Sequence, residues 1–146
     1  MSYFEEEYLH ISSEESIAIM EWKGLAKTEA YRKGFETFLE MLEEGEGEQT
    51  LWLTDFTGGK VIDIKDQKWT TDDWLERALD VVGESLKKVA VILSTDIFNK
   101  VAVRLIMNAI TQNTEAEVAY FEDKDDAMEW LMTHENEDEL AETSST

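Results

Sequence analysis

The segment Lys-Val-Ala-Val-Ile-Leu (88–93) constrains the fold more than any other, because Val89 to Leu93 leave no polar face to turn toward water. Successive side chains of a strand point to opposite sides, so this run needs cover on both. A central strand of a parallel sheet with helices on its two faces meets that need. The rest of the chain agrees with such a sheet. Residues 8–13 and 16–22 carry two strand-like runs around Ser12, Ser13, Glu14 and Glu15, which reads as a hairpin. From Lys27 to Glu44 the period changes: Tyr31, Phe35, Phe38, Leu39 and Leu42 share a helical stripe, and Glu36, Glu40, Glu43 and Glu44 face away.

Leu51, Trp52 and Leu53 make a short strand that stops at Asp55, Phe56, Thr57, Gly58 and Gly59. The adjacent glycines allow a tight turn or a close backbone approach. A second helix follows, with Trp74, Leu75, Ala78, Leu79 and Val82 on one face, Thr70 or Thr71 as its cap, and Asp72 and Asp73 in its first turn. Asp96 caps a third helix running to about Thr111. Glu117 to Phe121 is a strand, and Asp123 caps a last helix with Ala127, Trp130 and Leu131 inward. The order β β α β α β α β α predicts an α/β domain with a mostly parallel five-stranded sheet, an N-terminal β-hairpin and four helices. The expected domain covers residues 1–134, followed by an acidic, disordered tail over 135–146.

Composition narrows function by exclusion. With no cysteine and 2 histidines, the chain has no thiolate nucleophile and no sulfur-ligated zinc site. The net charge of −21, from 34 acidic against 13 basic side chains, repels nucleic-acid phosphates and anionic membranes. The expected partner is another protein with a basic patch, not nucleic acid. The N-terminal residues lack a basic segment followed by an apolar one, and no run approaches 18 apolar residues. A cytoplasmic protein without stable membrane insertion is the expectation.

No motif assigns catalysis or a cofactor. Gly58 and Gly59 belong to neither phosphate-binding glycine pattern, and no G-x-S-x-G elbow presents a serine. His10, pointing opposite to Leu9 and Ile11, and His134 read as surface residues. Asp55, Asp63 and Asp66 suit a hard cation only if the fold converges them, and coincidence in so acidic a chain explains them better. The expectation is no catalytic residue, no metal and no cofactor.

Ligands of open parallel sheets bind beyond the carboxyl ends of the strands, which makes Asp55, Phe56, Thr57, Gly58, Gly59, Ser94, Thr95 and Asp96 the expected functional rim. Trp69 and Trp74 project about 140° apart on a regular helix, so Trp69 is expected exposed beside the glycine loop, able to anchor a partner. On the third helix Phe98, Val101, Ala102, Leu105, Ile106 and Ala109 read as the core stripe. Val103 and Met107 then lie on a second apolar face, either sandwiched within the domain or forming an oligomer contact of a homodimer.

The element order, the strand Leu-Trp-Leu-Thr-Asp (51–55), the strand at 88–93 and the ending Ala-Tyr-Phe-Glu-Asp-Lys-Asp-Asp-Ala-Met-Glu-Trp-Leu (119–131) resemble the STAS-like, SpoIIAA-like bacterial domains. The resemblance spans residues 8 to about 133. It implies a non-enzymatic regulatory module that binds other proteins, as anti-sigma-factor antagonists do. A SEC14-like binding protein for an apolar small molecule or lipid is the alternative. In the antagonists an Asp-Ser pair at a helix start carries the phosphorylation switch. Here Asp63 is present, but Ile64 occupies the serine's place.

Overall fold

The computed structural model describes residues 1–132. The strands β1 (Ser2–Glu6), β2 (Leu9–Glu14) and β3 (Ile17–Trp22) pair antiparallel. From β3 onward, β4 (Leu51–Asp55), β5 (Lys88–Ile92) and β6 (Glu117–Phe121) run parallel, in the order β1-β2-β3-β4-β5-β6. The sheet is therefore mixed and six-stranded, where the sequence predicted five mostly parallel strands. The added strand, Ser2–Glu6, is masked by its glutamates. An edge strand packs only Tyr3 and Phe4 against the core and leaves Glu5 and Glu6 in water, a pattern that also discourages edge pairing.

Four helices cover this sheet. They are α1 (Thr28–Glu44), the rod formed by α2 (Ile64–Trp69), a π turn (Thr70–Trp74) and α3 (Leu75–Val82), then α4 (Ile97–Asn113), and α5 over residues 124–132. Alternation along each strand divides the core in two. Trp52, Val89 and Val91 join Phe35, Phe38, Trp74, Leu75 and Val103 on the face covered by α1 to α4. Leu51, Leu53, Ala90 and Ile92 join Ala127 and Leu131 of α5 on the other. Each strand residue thus finds cover on its own side, as the apolar run of β5 required.

The second helix begins earlier than expected. Asp63 caps it, its side chain accepting from the Lys65 amide at 2.8 Å. Thr70 and Thr71 lie inside the rod and bond back to the carbonyls of Asp66 (2.7 Å) and Gln67 (3.3 Å), which a threonine does as readily as it caps. Asp72 and Asp73 therefore sit mid-rod, outside any first turn of the whole helix. The expected tail, 135–146, and His134 lie outside the described residues.

The phase of α4 is the largest departure. Val103 and Met107 are 0% and 2% exposed, so neither forms an oligomer face. The outward stripe instead carries Ile97, Phe98, Val101 and Leu105, at 65%, 69%, 54% and 56% exposure. One reason lies in Asn99, a buried polar residue. Its side-chain amide donates to the Lys60 carbonyl at 2.8 Å, a bond available only with this side of the helix turned in.

Candidate functional site

The carboxyl ends of β3, β4 and β5 meet at one loop cluster, and local hydrogen bonds build it. The Asp55 carboxylate accepts from the Thr57 amide at 2.8 Å and from the Thr57 hydroxyl, closing the turn after β4. The Phe56 amide donates to the Ile92 carbonyl at 2.8 Å, and Phe56 itself is buried. The Gly58 amide donates to the Trp22 carbonyl at 3.1 Å. A Cβ on Gly58 would stand 2.6 Å from backbone atoms of Lys23, so only glycine lets the loop lie this close.

Ser94 and Asp96 lock α4 onto the same loop. The Ser94 hydroxyl donates to the Gly59 carbonyl at 2.8 Å and accepts from the Asp96 amide at 3.0 Å. The Asp96 carboxylate accepts from the amides of Phe98 (2.9 Å) and Asn99 (3.1 Å), so it is the helix cap. These bonds already occupy the amides of Asp96, Phe98 and Asn99 at the start of α4.

A small cleft opens where these parts meet, with a space of about 20 Å³, room for one water-sized group. Trp22, Tyr31, Phe56, Gly59, Val61 and Asn99 are among its walls. Two buried polar atoms of these walls have no hydrogen-bond partner, the Trp22 indole N–H and the Asn99 Oδ1. Exposed apolar side chains stand around it: Val61 lines it, Leu25 lies between the lining residues Gly24 and Ala26, and Ile64 and Phe98 border the same loops.

The rim expected from sequence is thus only partly the site. Phe56 and Gly59 line the cleft, and Asp55, Thr57, Gly58 and Asp96 shape its loops. Asp63 caps α2 and Trp69 lies away from the cleft walls. Trp69 packs edge-on against Tyr31 and Phe35, both at 6.4 Å between ring centroids, with the Arg32 guanidinium 5.1 Å and that of Arg77 6.0 Å from its ring. The expectation of an exposed indole fails because a π turn takes up one more residue than an α turn. Residues five apart then stand nearly over one another, so Trp69 and Trp74 both reach Phe35. Sequence reasoning missed Trp22 and Asn99. The available signal for the second was a lone amide three residues after a helix cap, on a helix otherwise apolar on that side.

Asp66 is held away from Asp55 and Asp63. It is buried, accepting from Thr28 at 2.9 Å and from Arg32 at 3.0 Å. Beside it the Tyr31 hydroxyl lies 2.6 Å from that of Thr70, and burial pushes its phenol well above the usual tyrosine range. Among the described residues no three acidic or imidazole side chains are grouped as metal ligands. On the opposite sheet face His10 is half-buried rather than a free surface residue. Its Nε2 is 3.1 Å from the Ser2 hydroxyl and its Nδ1 is 3.5 Å from Glu21, which Lys124 also meets at 3.5 Å. This polar seam ties β1, β2, β3 and α5 together.

Among the described residues no helix is long and apolar enough to cross a membrane. Comparison with curated proteins and with solved structures finds no match. The model of the SpoIIAA-like family matches residues 17–132, from β3 through α5. That span takes in the parallel part of the sheet, the loop cluster at its carboxyl edge and the closing Ala127 and Leu131 helix, and on this ground the chain belongs to the SpoIIAA-like family.

Proposed function

We infer that the protein is a non-enzymatic regulatory module that binds another protein through the carboxyl edge of its sheet. The observation that carries this reading is the set of large apolar side chains left in water there, Leu25, Val61, Ile64, Ile97 and Phe98, in a chain of net charge −21. Apolar clusters of this kind mark contact surfaces. A basic patch elsewhere on the partner suits the charge and raises the rate of encounter. Ile64, the first residue of α2, offers no hydroxyl, so regulation does not run through phosphorylation at the helix start.

The binding-protein alternative needs an apolar cavity, and the open cleft of about 550 Å³ at the amino end of β5 and β6 is instead lined largely by polar groups, Glu84, Gln112, Asn113, Thr114 and Glu115 among them. The space between α1, α4 and the sheet, walled by Phe35, Phe38, Trp52, Trp74 and Met107, amounts to about 20 Å³, too little for an acyl chain. The test is native mass spectrometry of the chain purified from its own cells. Retention of a second polypeptide is expected. A stoichiometric apolar small molecule with no polypeptide overturns the reading. Labelling of Ser2 by a fluorophosphonate, lost in His10→Ala, would instead revive an enzyme built on the Ser2–His10–Glu21 seam.

A further inference from the structure

We propose that the outer face of α4 is a docking surface for an amphipathic helix of another protein, one whose apolar strip is bordered by carboxylates. The inference rests on the interaction-module reading and names the chemistry of its partner. Ile97, Val101 and Leu105 recur every fourth residue, with Phe98 beside them, so the apolar stripe follows the helix axis for more than two turns. It starts at the loop cluster, since Phe98 adjoins Asn99 of the cleft wall. A groove-seated helix reads such a stripe with anchors at the same spacing.

Charge selects the occupant. In a chain with 34 acidic side chains, α4 has none, and its only charges are Lys100 and Arg104. Among the described residues neither forms an ion pair with a carboxylate, and the Arg104 guanidinium lies 4.7 Å over the Tyr120 ring at the border of the stripe. The neighbouring rod is the opposite, with Asp72, Glu76 and Asp80 exposed at four-residue spacing. A partner helix that seats its apolar strip on α4 therefore needs carboxylates on the side facing Lys100 and Arg104. A second copy is disfavoured, because a two-fold contact would set Lys100 and Arg104 against themselves and bring two chains of net charge −21 together. An anionic membrane meets the same net charge and is repelled.

The absence of cysteine makes the test site-specific. Leu105→Cys, carrying a benzophenone maleimide, is irradiated in an extract of the chain's own cells, beside Glu43→Cys on the exposed face of α1 as reference. Crosslinking about tenfold above the reference is expected. The crosslinked peptide should come from another protein and show apolar residues at helical spacing bordered by Asp or Glu. Unlabelled wild-type chain should compete; unlabelled Val101→Ser/Leu105→Ser and Lys100→Glu/Arg104→Glu chains, checked for unchanged Tm, should compete about tenfold less well. A peptide of this same chain, a lipid adduct, a segment bordered only by Lys or Arg, or a yield at 105 no higher than at 43 overturns the proposal. A polypeptide retained in native mass spectrometry with position 105 at the reference level rejects the α4 surface alone. No retained polypeptide and no crosslink rejects the module reading with it.

Discussion

Helices α1 and α4 are each 17 residues long and pack on the same face of the sheet, yet only one of them shows its orientation plainly in its sequence. On α1 the outer face is marked by Glu40, Glu43 and Glu44, so Tyr31, Phe35, Phe38, Leu39 and Leu42 must turn inward, and they do. On α4 the exposed Ile97, Phe98, Val101 and Leu105 blur that mark, and only Arg104, Asn108, Thr111 and Gln112 give the outer side a polar character. Polar bonds at its start add to this: Asp96 sets the first turn and Asn99 ties the helix to Lys60. On α1 a charged face alone marks the orientation, whereas on α4 a buried amide adds to a weaker polar mark.

Truncating the same residue type on both helices should give the largest difference between them. Phe38→Ala, on the buried face of α1, should cost about 3–5 kcal/mol in urea unfolding, while Phe98→Ala on α4 should stay within about 0.5 kcal/mol. Equal losses would mean that α4 is turned the other way. Next in size, Asn99→Asp keeps the shape but sets a carboxylate against the Lys60 carbonyl. A loss of about 3 kcal/mol is expected, with hydrogen exchange rising first in the 56–60 loop. Unchanged stability would remove Asn99 as a residue that helps to set the phase of α4.

Gly34→Ala tests how closely α1 lies on the sheet. The new Cβ would stand 2.5 Å from Leu9 Cδ2 and 2.7 Å from the Trp22 ring, and a loss of about 1–2 kcal/mol should remain after the gain in helix propensity. A more stable variant would show that the aromatic layer yields.

The smallest effect is a pH dependence. Tyr31, on the buried face of α1, is held protonated chiefly by burial, with Asp66 adding to this and Thr70 and Arg32 opposing it. Tyr3 is pushed up to about 12 by burial and by Glu44. The unfolded chain ionises first, near 10.0, so stability should hold below that pH and fall as pH rises above it. Tyr31→Phe should lose about 1 kcal/mol at neutral pH, by removing the bond to Thr70, and flatten the alkaline decline without abolishing it. An identical decline in the variant would place the titration elsewhere.

The same contrast explains what the sequence disclosed. Strands with two apolar faces and helices with one charged face were legible, because their patterns admit one packing solution. β1 was not, since this edge strand packs only Tyr3 and Phe4, both in part, and leaves Ser2, Glu5 and Glu6 exposed. At the site, the loop from Asp55 to Gly59 was visible as a glycine-bearing strand end. Trp22 and Asn99 became site residues only through contacts between elements far apart in the chain, 39 residues from loop to helix in the case of the Asn99–Lys60 bond. No local pattern encodes such a meeting.

The π turn at Thr70–Trp74 also bears on how this rod can change length. It holds one residue more than a regular helix would, in the manner of a one-residue insertion absorbed without breaking the helix. Deleting a single residue between 70 and 73 would leave a continuous helix of ordinary pitch with Ile64–Trp69 facing nearly as before relative to Leu75–Val82, because four residues of a regular helix turn about as far as the five of the π turn. Trp69 would still reach Phe35, and the buried Asp66 would still accept from Thr28 and Arg32. At this place the rod should tolerate the loss of one residue, whereas exchanges at the buried Thr70 and Trp74, which bond to Tyr31 and to the Phe35 carbonyl, should not be tolerated.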